Sequence, residues 1–432
     1  MRHMDLVSDG TPWRDYLSDL ILHGVKLGLD NIRALLDGAG NPEGACPSVH
    51  LAGTNGKGST AAFLDTILRR AGFRVGKFTS PHLLDIRERF QINGVPISEE
   101  CLRDQVFRFR EVASGMPSPP TFFELNTAIA FGWFRDERVD AAVVETGMGG
   151  RHDATNVLRP ELCGITNIAL DHTRYLGDTL EAIAFEKAGI LKPGVPCVTG
   201  LLPGGPAAVV RERAREVGAP LLMAGQDYAF SVSGTPMAPR LTLRHGALEL
   251  EEVPLGLSGA HQAGNAAIAA LAAALLPPPL GPVSGANIAR GLAETRWPGR
   301  MEKVLDAPPV FLDVAHNPDG METLAASFPR AVVVFAVSSD KEAAKMLEII
   351  RPAAFPLILT AYTGARSLSV EELSGLAGGT PHISCPGLSE ALEAGMARAT
   401  DETPLLVCGS IYAAGEARRI LVSRHGAAAP VF

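Results

Sequence analysis

Between Cys46 and about Val310, short runs rich in Val, Ile and Ala alternate with longer stretches whose apolar residues recur at helical spacing. Strand-helix-strand units produce that alternation, so it predicts a largely parallel sheet flanked by helices. The strand candidates are 48–52, 74–79, 140–145, 162–168 and 195–199. At Asp178-Thr179-Leu180-Glu181 a capping Asp stands three residues before a Glu, which predicts a helix running through Ile183 and Ala184 toward Lys187. Between Gly225 and Gly256 the period changes, and RLTLRHGALELEEV predicts a small antiparallel hairpin appended to the main sheet.

After the prolines at 277–279 and a short helical stretch comes Arg296-Trp297-Pro298-Gly299-Arg300, a rigid turn-forming element suited to a linker. Beyond it the alternation resumes, with apolar runs at 310–314, 331–337, 356–360 and 404–408 and a capping box at Ser369-Val370-Glu371-Glu372. The pattern therefore predicts an α/β protein of two domains, 1–297 and a smaller one at 298–432. The chain's 432 residues agree, since roughly 150 per domain gives two or three.

Composition narrows the class. Apolar residues are 46% of the chain and charged residues 20%, which excludes wholesale disorder. With 39 basic against 47 acidic residues the net charge is -8, so there is no global basic field to draw the chain onto nucleic acid or an anionic membrane. The six cysteines (Cys46, Cys101, Cys163, Cys197, Cys385 and Cys408) form no C-x-x-C pair, so neither a disulfide scaffold nor a zinc knuckle is expected. The longest apolar run, 266–276, falls well short of the roughly 20 residues that span a bilayer. The opening stretch MRHMDLVSDGTPWRDYLSDL carries acids and bases where a secretory leader needs an uninterrupted apolar segment, so a cytoplasmic, reduced setting is expected.

The most specific chemical motif is HLAGTNGKGST at 50–60, a strand candidate running into a glycine-rich turn and then a helix. Its glycines let successive backbone N–H groups face an anion, the helix N-terminus adds its dipole, and Lys57 adds a full charge. Such a segment cradles a triphosphate. The spacing differs from G-x-x-x-x-G-K-[ST], because only two residues separate Gly53 from Gly56.

Two further clusters end strand candidates on the same edge: Thr79-Ser80-Pro81-His82-Leu83 and Glu145-Thr146-Gly147-Met148-Gly149-Gly150. The Ser80 hydroxyl and Glu145 carboxylate could share a hard cation beside the phosphates, although Ser80 alone reads equally as a cap or Ser-Pro turn. His172 fits a metal ligand or a hydrogen-bonded histidine, and Lys187 fits a snorkelling stem or a working amine. Asp313 and His316, in LDVAHNP, could face the nucleotide across a cleft, or Asp313 could close an Asx turn. His261 and Asn265 share one helical face. Phe107-Arg108-Phe109-Arg110 could stack bases, but its period suits an amphipathic surface helix. No G-x-S-x-G, H-E-x-x-H or complete G-x-G-x-x-G occurs.

In order along the chain, HLAGTNGKGST, FTSPHLLDIRERFQINGVPIS, TFFELNTAIAF, VVETGMGGRHDATNV, ITNIALDHTRYLGDTLEAIAFEKAGILK, WPGRMEKV, LDVAHNPDGM and CGSIYAAGEAR resemble the folylpolyglutamate synthase and dihydrofolate synthase family of the Mur ligase superfamily. The resemblance covers about 28–418. It implies an N-terminal P-loop-type ATPase domain and a smaller Rossmann-like C-terminal domain, acting as a ligase dependent on ATP and Mg²⁺; a monomer is the default expectation. In that family ATP phosphorylates a carboxylate and L-glutamate then attacks the acyl phosphate, so dihydropteroate, a reduced folate, or both would be acceptors.

Carried over residue by residue, the resemblance puts Thr54, Asn55, Gly56, Lys57, Gly58 and Ser59 at the ATP phosphates and Asn265, Arg300, Asp313 and His316 around the rest of the nucleotide. Ser59, Ser80 and Glu145 would hold one Mg²⁺ and His172 a second. Lys187 resembles a lysine carried as a carbamate, and with Lys57 and His172 it makes the implied catalytic set. Thr121, Phe122, Phe123, Glu124 and Asp153 resemble the pterin-side pocket. His152 stands where the family usually has an apolar residue, and 336–339 is less glycine-rich than the family's loop. A Mur-type ligase for another carboxylate, or a non-catalytic nucleotide-binding module, is the competing reading.

Overall fold

The computed structural model describes residues 10–432 except His23, Val25 and Leu27, so most of the charged opening stretch lies outside the described residues. Among the described residues, the first sheet has eight strands: β1 (Ser48–Ala52), β2 (Val75–Phe78), β3 (Phe90–Ile92), β4 (Val95–Pro96), β5 (Ala141–Glu145), β6 (Leu162–Ile165), β7 (Cys197–Thr199) and β8 (Leu221–Met223). Their order is β4-β3-β2-β5-β1-β6-β7-β8. From β2 to β8 all neighbours run parallel, and β3 and β4 fold back antiparallel at one edge.

β1 and β5 are buried at every position because helices cover both faces, which is why they read as continuous apolar runs. Helices Lys57–Arg70, Gln262–Leu275 and Gly285–Glu294 pack on one face. Pro12–Leu22, Asp30–Gly38, Glu99–Ser114 and Phe122–Asp136 pack on the other. Helix Glu99–Ser114 contains the Phe107–Arg110 segment, with Phe109 buried and Phe107 exposed, as an amphipathic helix requires.

Several boundaries differ from the sequence expectation. The strand expected over 162–168 stops at Ile165, because Thr166 and Asn167 turn their polar groups onto the glycine-rich loop. The expected strands 74–79, 140–145 and 195–199 shorten to β2, β5 and β7. The helix carrying Lys187 is Leu180–Ala188, capped by Thr179 rather than Asp178: the Thr179 hydroxyl accepts from the Ala182 N–H at 3.1 Å, so Glu181 stands one position short of a capping box.

The expected hairpin is a separate three-stranded antiparallel sheet, β9 (Ala229–Thr235), β10 (Ala238–His245) and β11 (Leu248–Pro254), rather than an extension of the main one. Alternate residues of β10 and β11 are buried and join the core of the helices Gln262–Leu275 and Gly285–Glu294, while the intervening ones face solvent.

The remaining strands form a six-stranded sheet: β12 (Glu302–Asp306), β13 (Pro309–Leu312), β14 (Ala331–Phe335), β15 (Ala354–Leu359), β16 (Ile383–Ser384) and β17 (Leu405–Cys408). Its order is β12-β13-β17-β14-β15-β16, parallel throughout except for the antiparallel edge strand β12. No helix among the described residues is long and apolar enough to cross a membrane.

The helix that follows the glycine-rich loop is held by close packing on Gly291. A Cβ added there would lie 2.5 Å from Ile67 Cα, so the two helix backbones are as near as a glycine permits. Gly291→Ala is expected to destabilise the protein by about 1–3 kcal/mol through overpacking, measured by urea unfolding; an unchanged midpoint would show that the contact yields freely.

Candidate active site

The carboxyl ends of β2, β5, β1 and β6 lie side by side, so the loops that follow them meet at one edge, the usual location of a ligand cleft in an open α/β sheet. The loop after β1 is shaped by the segment after β6. Thr54 N–H donates to Asn167 O at 3.1 Å, Asn55 N–H donates to the Asn167 side chain at 2.7 Å, and the Thr54 hydroxyl joins both backbone groups of Ala169 at 3.0 Å. Thr166 donates its hydroxyl to Asn55 O at 2.5 Å. Gly53 accepts this arrangement only because it lacks a Cβ, which would fall 1.8 Å from the Thr166 hydroxyl oxygen.

Gly56 is left-handed, with φ of 85°, and caps helix Lys57–Arg70. Asn265 lies against it, within 2.3 Å of where a Cβ would be, and donates to Gln262 at 2.9 Å; Gln262 in turn reaches the Ser59 hydroxyl at 3.4 Å. Asn265 and Ser59 thus meet at the end of the loop.

Three charged groups converge on this loop. Lys57 Nζ donates to Gly53 O at 3.0 Å and Thr54 O at 3.1 Å and lies 3.8 Å from Glu145 Oε1. Lys187 Nζ donates to the same Gly53 O at 2.7 Å from 134 positions away. Burial, with Lys57 close by, lowers the Lys187 amine to about 7. Glu145 accepts from Ser80 N–H at 3.2 Å; burial raises its carboxyl above the ordinary range, against the pull of Lys57. Ser80 is itself placed by the turn that follows, where Glu88 accepts the backbone N–H groups of Leu83, Leu84 and Asp85.

The second sheet supplies the opposite wall. Asp313, just past β13, accepts from Met301 N–H at 2.8 Å and from Ala315 N–H at 2.7 Å; the latter is the Asx turn, and Arg300 is the cation beside it. His316 Nδ1–H donates to Val314 O at 2.9 Å, and its Nε2 lies 3.6 Å from Asp171. His172 is solvent-exposed and begins a short helix, Thr173–Leu176, in a left-handed conformation; partial desolvation and the nearby Lys341 charge lower its ring below the ordinary histidine range. Among the described residues no three His, Cys, Asp or Glu side chains cluster as a metal site.

The walls are joined through Asn55 of the glycine-rich loop and by groups to which sequence reasoning assigned no role. Asn55 and Asn317 exchange amide hydrogen bonds at 3.2 and 3.0 Å, and Asp319 accepts from Asn55 at 2.7 Å and from Asn167 at 3.1 Å. Asp171 accepts from Asn317 at 3.1 Å and from Lys341 at 2.9 Å. Against the effect of burial, His316 and then Lys341 hold the Asp171 carboxyl far below the usual carboxylate range. Position after a strand is the signal that could have found Asn167 and Asp171. For Asn317 and Asp319 it is the Asn-Pro-Asp helix start, where the Asn317 side chain accepts from Gly320 N–H.

Of the residues expected to form the pterin-side pocket, Thr121 and Glu124 form a capping box, and Glu124 also accepts from Asn31 at 2.9 Å. Both are buried in that structural role. Phe122 carries Arg89 over its ring at 5.4 Å, and Phe123 stacks near Phe78 at 5.9 Å and crowds Gly147. Asp153 accepts from Met148 N–H at 2.8 Å and Thr155 N–H at 3.0 Å, fixing the loop after β5. Arg151 N–H donates to Glu186 O and Asn156 donates to Gly189 O, which ties this loop to the Lys187 helix.

Comparison with known proteins places this arrangement. The Mur ligase middle domain matches residues 51–273, and the glutamate ligase domain of the Mur ligases matches 299–411. The dihydrofolate synthase/folylpolyglutamate synthase of Bacillus subtilis (strain 168) is 36% identical over 83% of this chain and 87% of its own. The folylpolyglutamate synthase of Lacticaseibacillus casei is 34% identical over 90% and 94%. Among solved structures, E. coli FolC in complex with DHPP and ADP superposes with a TM-score of 0.87 at 31% identity, covering 98% of this chain and all of that one.

The Asp171–Lys341 contact is a partly buried, charge-assisted hydrogen bond between the two sheets. A double-mutant cycle of Asp171→Ala and Lys341→Ala on urea unfolding is expected to give a coupling energy of about 1.5–3 kcal/mol. Strict additivity would show that the contact contributes nothing.

Proposed function

Since the chain belongs to the folylpolyglutamate synthase and dihydrofolate synthase family of the Mur ligases, we propose that the cleft between its two sheets is where ATP drives the joining of L-glutamate to a pteroate or folate carboxylate. The chain is an ATP-dependent ligase acting with glutamate on folates. The observation that carries the site reading is the convergence of Lys57, Lys187 and Glu145 on the glycine-rich loop.

A carboxylate is a poor electrophile until one oxygen becomes a leaving group. The acceptor's carboxylate oxygen attacks the terminal phosphorus of ATP and ADP departs. The glutamate amine then attacks the acyl carbon and phosphate leaves. Residues Thr54 to Ser59 orient the phosphates, with Lys57 exchanging the loop carbonyls for phosphate oxygens, and Asn265, Arg300, Asp313 and His316 surround the remainder of the nucleotide. The wall-to-wall contacts of Asn55 and Asp171 exclude water from the acyl phosphate.

The donor set of this cleft fits Mg²⁺. Glu145 is a buried carboxylate within reach of the phosphate loop, Ser59 and Ser80 offer hydroxyls, and His172 offers a neutral ring, leaving positions for phosphate oxygens and water. Bound there, Mg²⁺ would supply charge neutralisation on the phosphates.

Lys187 fits a carbamate. Its nitrogen, about half unprotonated near pH 7, can attack CO₂: the ammonium first loses one proton, an N–C bond forms, a second proton leaves the nitrogen, and a buried cation has become an anion beside Lys57. The neutral fraction grows as pH rises through 7, so at fixed dissolved CO₂ the carbamate and the rate are expected to rise together between about pH 6 and 8. A ¹³C-carbamate resonance that appears with labelled bicarbonate and is absent in Lys187→Ala would support this. Undiminished ligation by that variant, against an expected loss of roughly 10–100-fold or more, would remove the role.

Both dihydropteroate and reduced folates are proposed acceptors. ADP release with ATP, Mg²⁺ and L-glutamate is expected with either acceptor and absent without one. Release with dihydropteroate alone or tetrahydrofolate alone would reduce the proposal to one activity, and release with neither would favour a different carboxylate or a nucleotide-binding module.

A further inference from the structure

His50 stands at the centre of β1, fully buried, between β5 and β6. An imidazole in the middle of a buried parallel sheet costs free energy unless its polar atoms are satisfied. Its Nε2 lies 2.7 Å from the Thr155 hydroxyl, which lies 2.5 Å from Asp153 Oδ1, and Asp153 Oδ2 receives the Met148 N–H. A buried chain therefore runs from the strand that launches the phosphate loop to the loop after β5. That second loop is pressed from its other side by Phe123, whose ring lies 2.5 Å from where a Gly147 Cβ would be.

Counting protons fixes the direction of the chain. A carboxylate only accepts, so the single Thr155 hydroxyl proton goes to Asp153 and the Thr155 oxygen must accept from His50 Nε2–H. Nδ1 is then a bare lone pair, and it has no hydrogen-bond partner. Burial and the nearby Lys192 charge keep the ring neutral.

We propose that His50 is a positioning residue for the acceptor side of the ligation site: as the Nε2–H tautomer it holds Thr155 on Asp153, and through Asp153 it sets the 147–150 loop against Phe123. In that role it decides how well the acceptor's ring is seated, leaving nucleotide binding untouched. The inference rests on reading Asp153 and Phe123 as acceptor-side residues.

The test has two parts. In the ¹⁵N-histidine-labelled full-length enzyme, the resonance lost in His50→Gln should show a pyrrole-type Nε2 and a pyridine-type Nδ1; the opposite tautomer would overturn the proposal. In steady-state kinetics, His50→Leu should raise KM for dihydropteroate or tetrahydrofolate about tenfold, the size of one lost buried hydrogen bond, with KM for ATP within about twofold. His50→Gln, which keeps an N–H donor, should recover most of that loss. Equal increases in both KM values, or no difference between the Leu and Gln variants, would reduce His50 to a core residue.

Asp153→Asn separates the premise from the proposal. An unchanged acceptor KM in that variant would remove the acceptor-side reading and the role of His50 with it. A raised acceptor KM there, beside an unchanged one in His50→Leu, would keep the reading and remove His50 alone.

Discussion

The cleft depends on the grip that the segment after β6 keeps on the loop after β1. Thr166, Asn167 and Ala169 engage the backbone or side chains of Thr54 and Asn55, so the glycine-rich loop is a preformed shape before any ligand arrives. Glycines alone would make this loop adaptable and would charge its ordering to the binding step. Here the neighbouring strand has already done the ordering. It also orients the Gly53 carbonyl so that two lysines from distant parts of the chain, Lys57 and Lys187, meet on one oxygen.

That meeting explains the electrostatics of the site. Two amines sharing one acceptor in a desolvated pocket cannot both keep their charge cheaply. The better-buried Lys187 is the one pushed toward neutrality, while Lys57 has Glu145 nearby to compensate it. Asp171 shows the opposite outcome: partly buried, it is held ionised by His316 and Lys341 from the other sheet. Desolvation therefore discharges one group and leaves another charged, depending on which partners face it.

Much of this is legible in the sequence where local chemistry and position agree. The strand-turn-helix around HLAGTNGKGST, the strand-end placement of Ser80, Glu145 and Asp313, and the Ser369 capping box all follow from rules that act within a few residues. Errors arise where two neighbouring residues compete for one job, as with Asp178 and Thr179, or where a strand is short and half-exposed, as with β12 and β16. The partners across the cleft are illegible for a different reason. Nothing local to Asn317, Asp319 or Lys341 says that their loops face Asn55 and Asp171, because that depends on how two separately folded sheets are set against each other.

The exchanged amides of Asn55 and Asn317 have a thermodynamic corollary. Asn55 belongs to the phosphate loop itself, so separating the two walls strips that loop of contacts, and remoulding the loop weakens the apposition of the walls. Nucleotide affinity and closure are then linked functions of one equilibrium. A ligand that favours closure, whether acceptor or amino acid, then tightens the hold on nucleotide by some factor, and nucleotide tightens the hold on that ligand by the same factor.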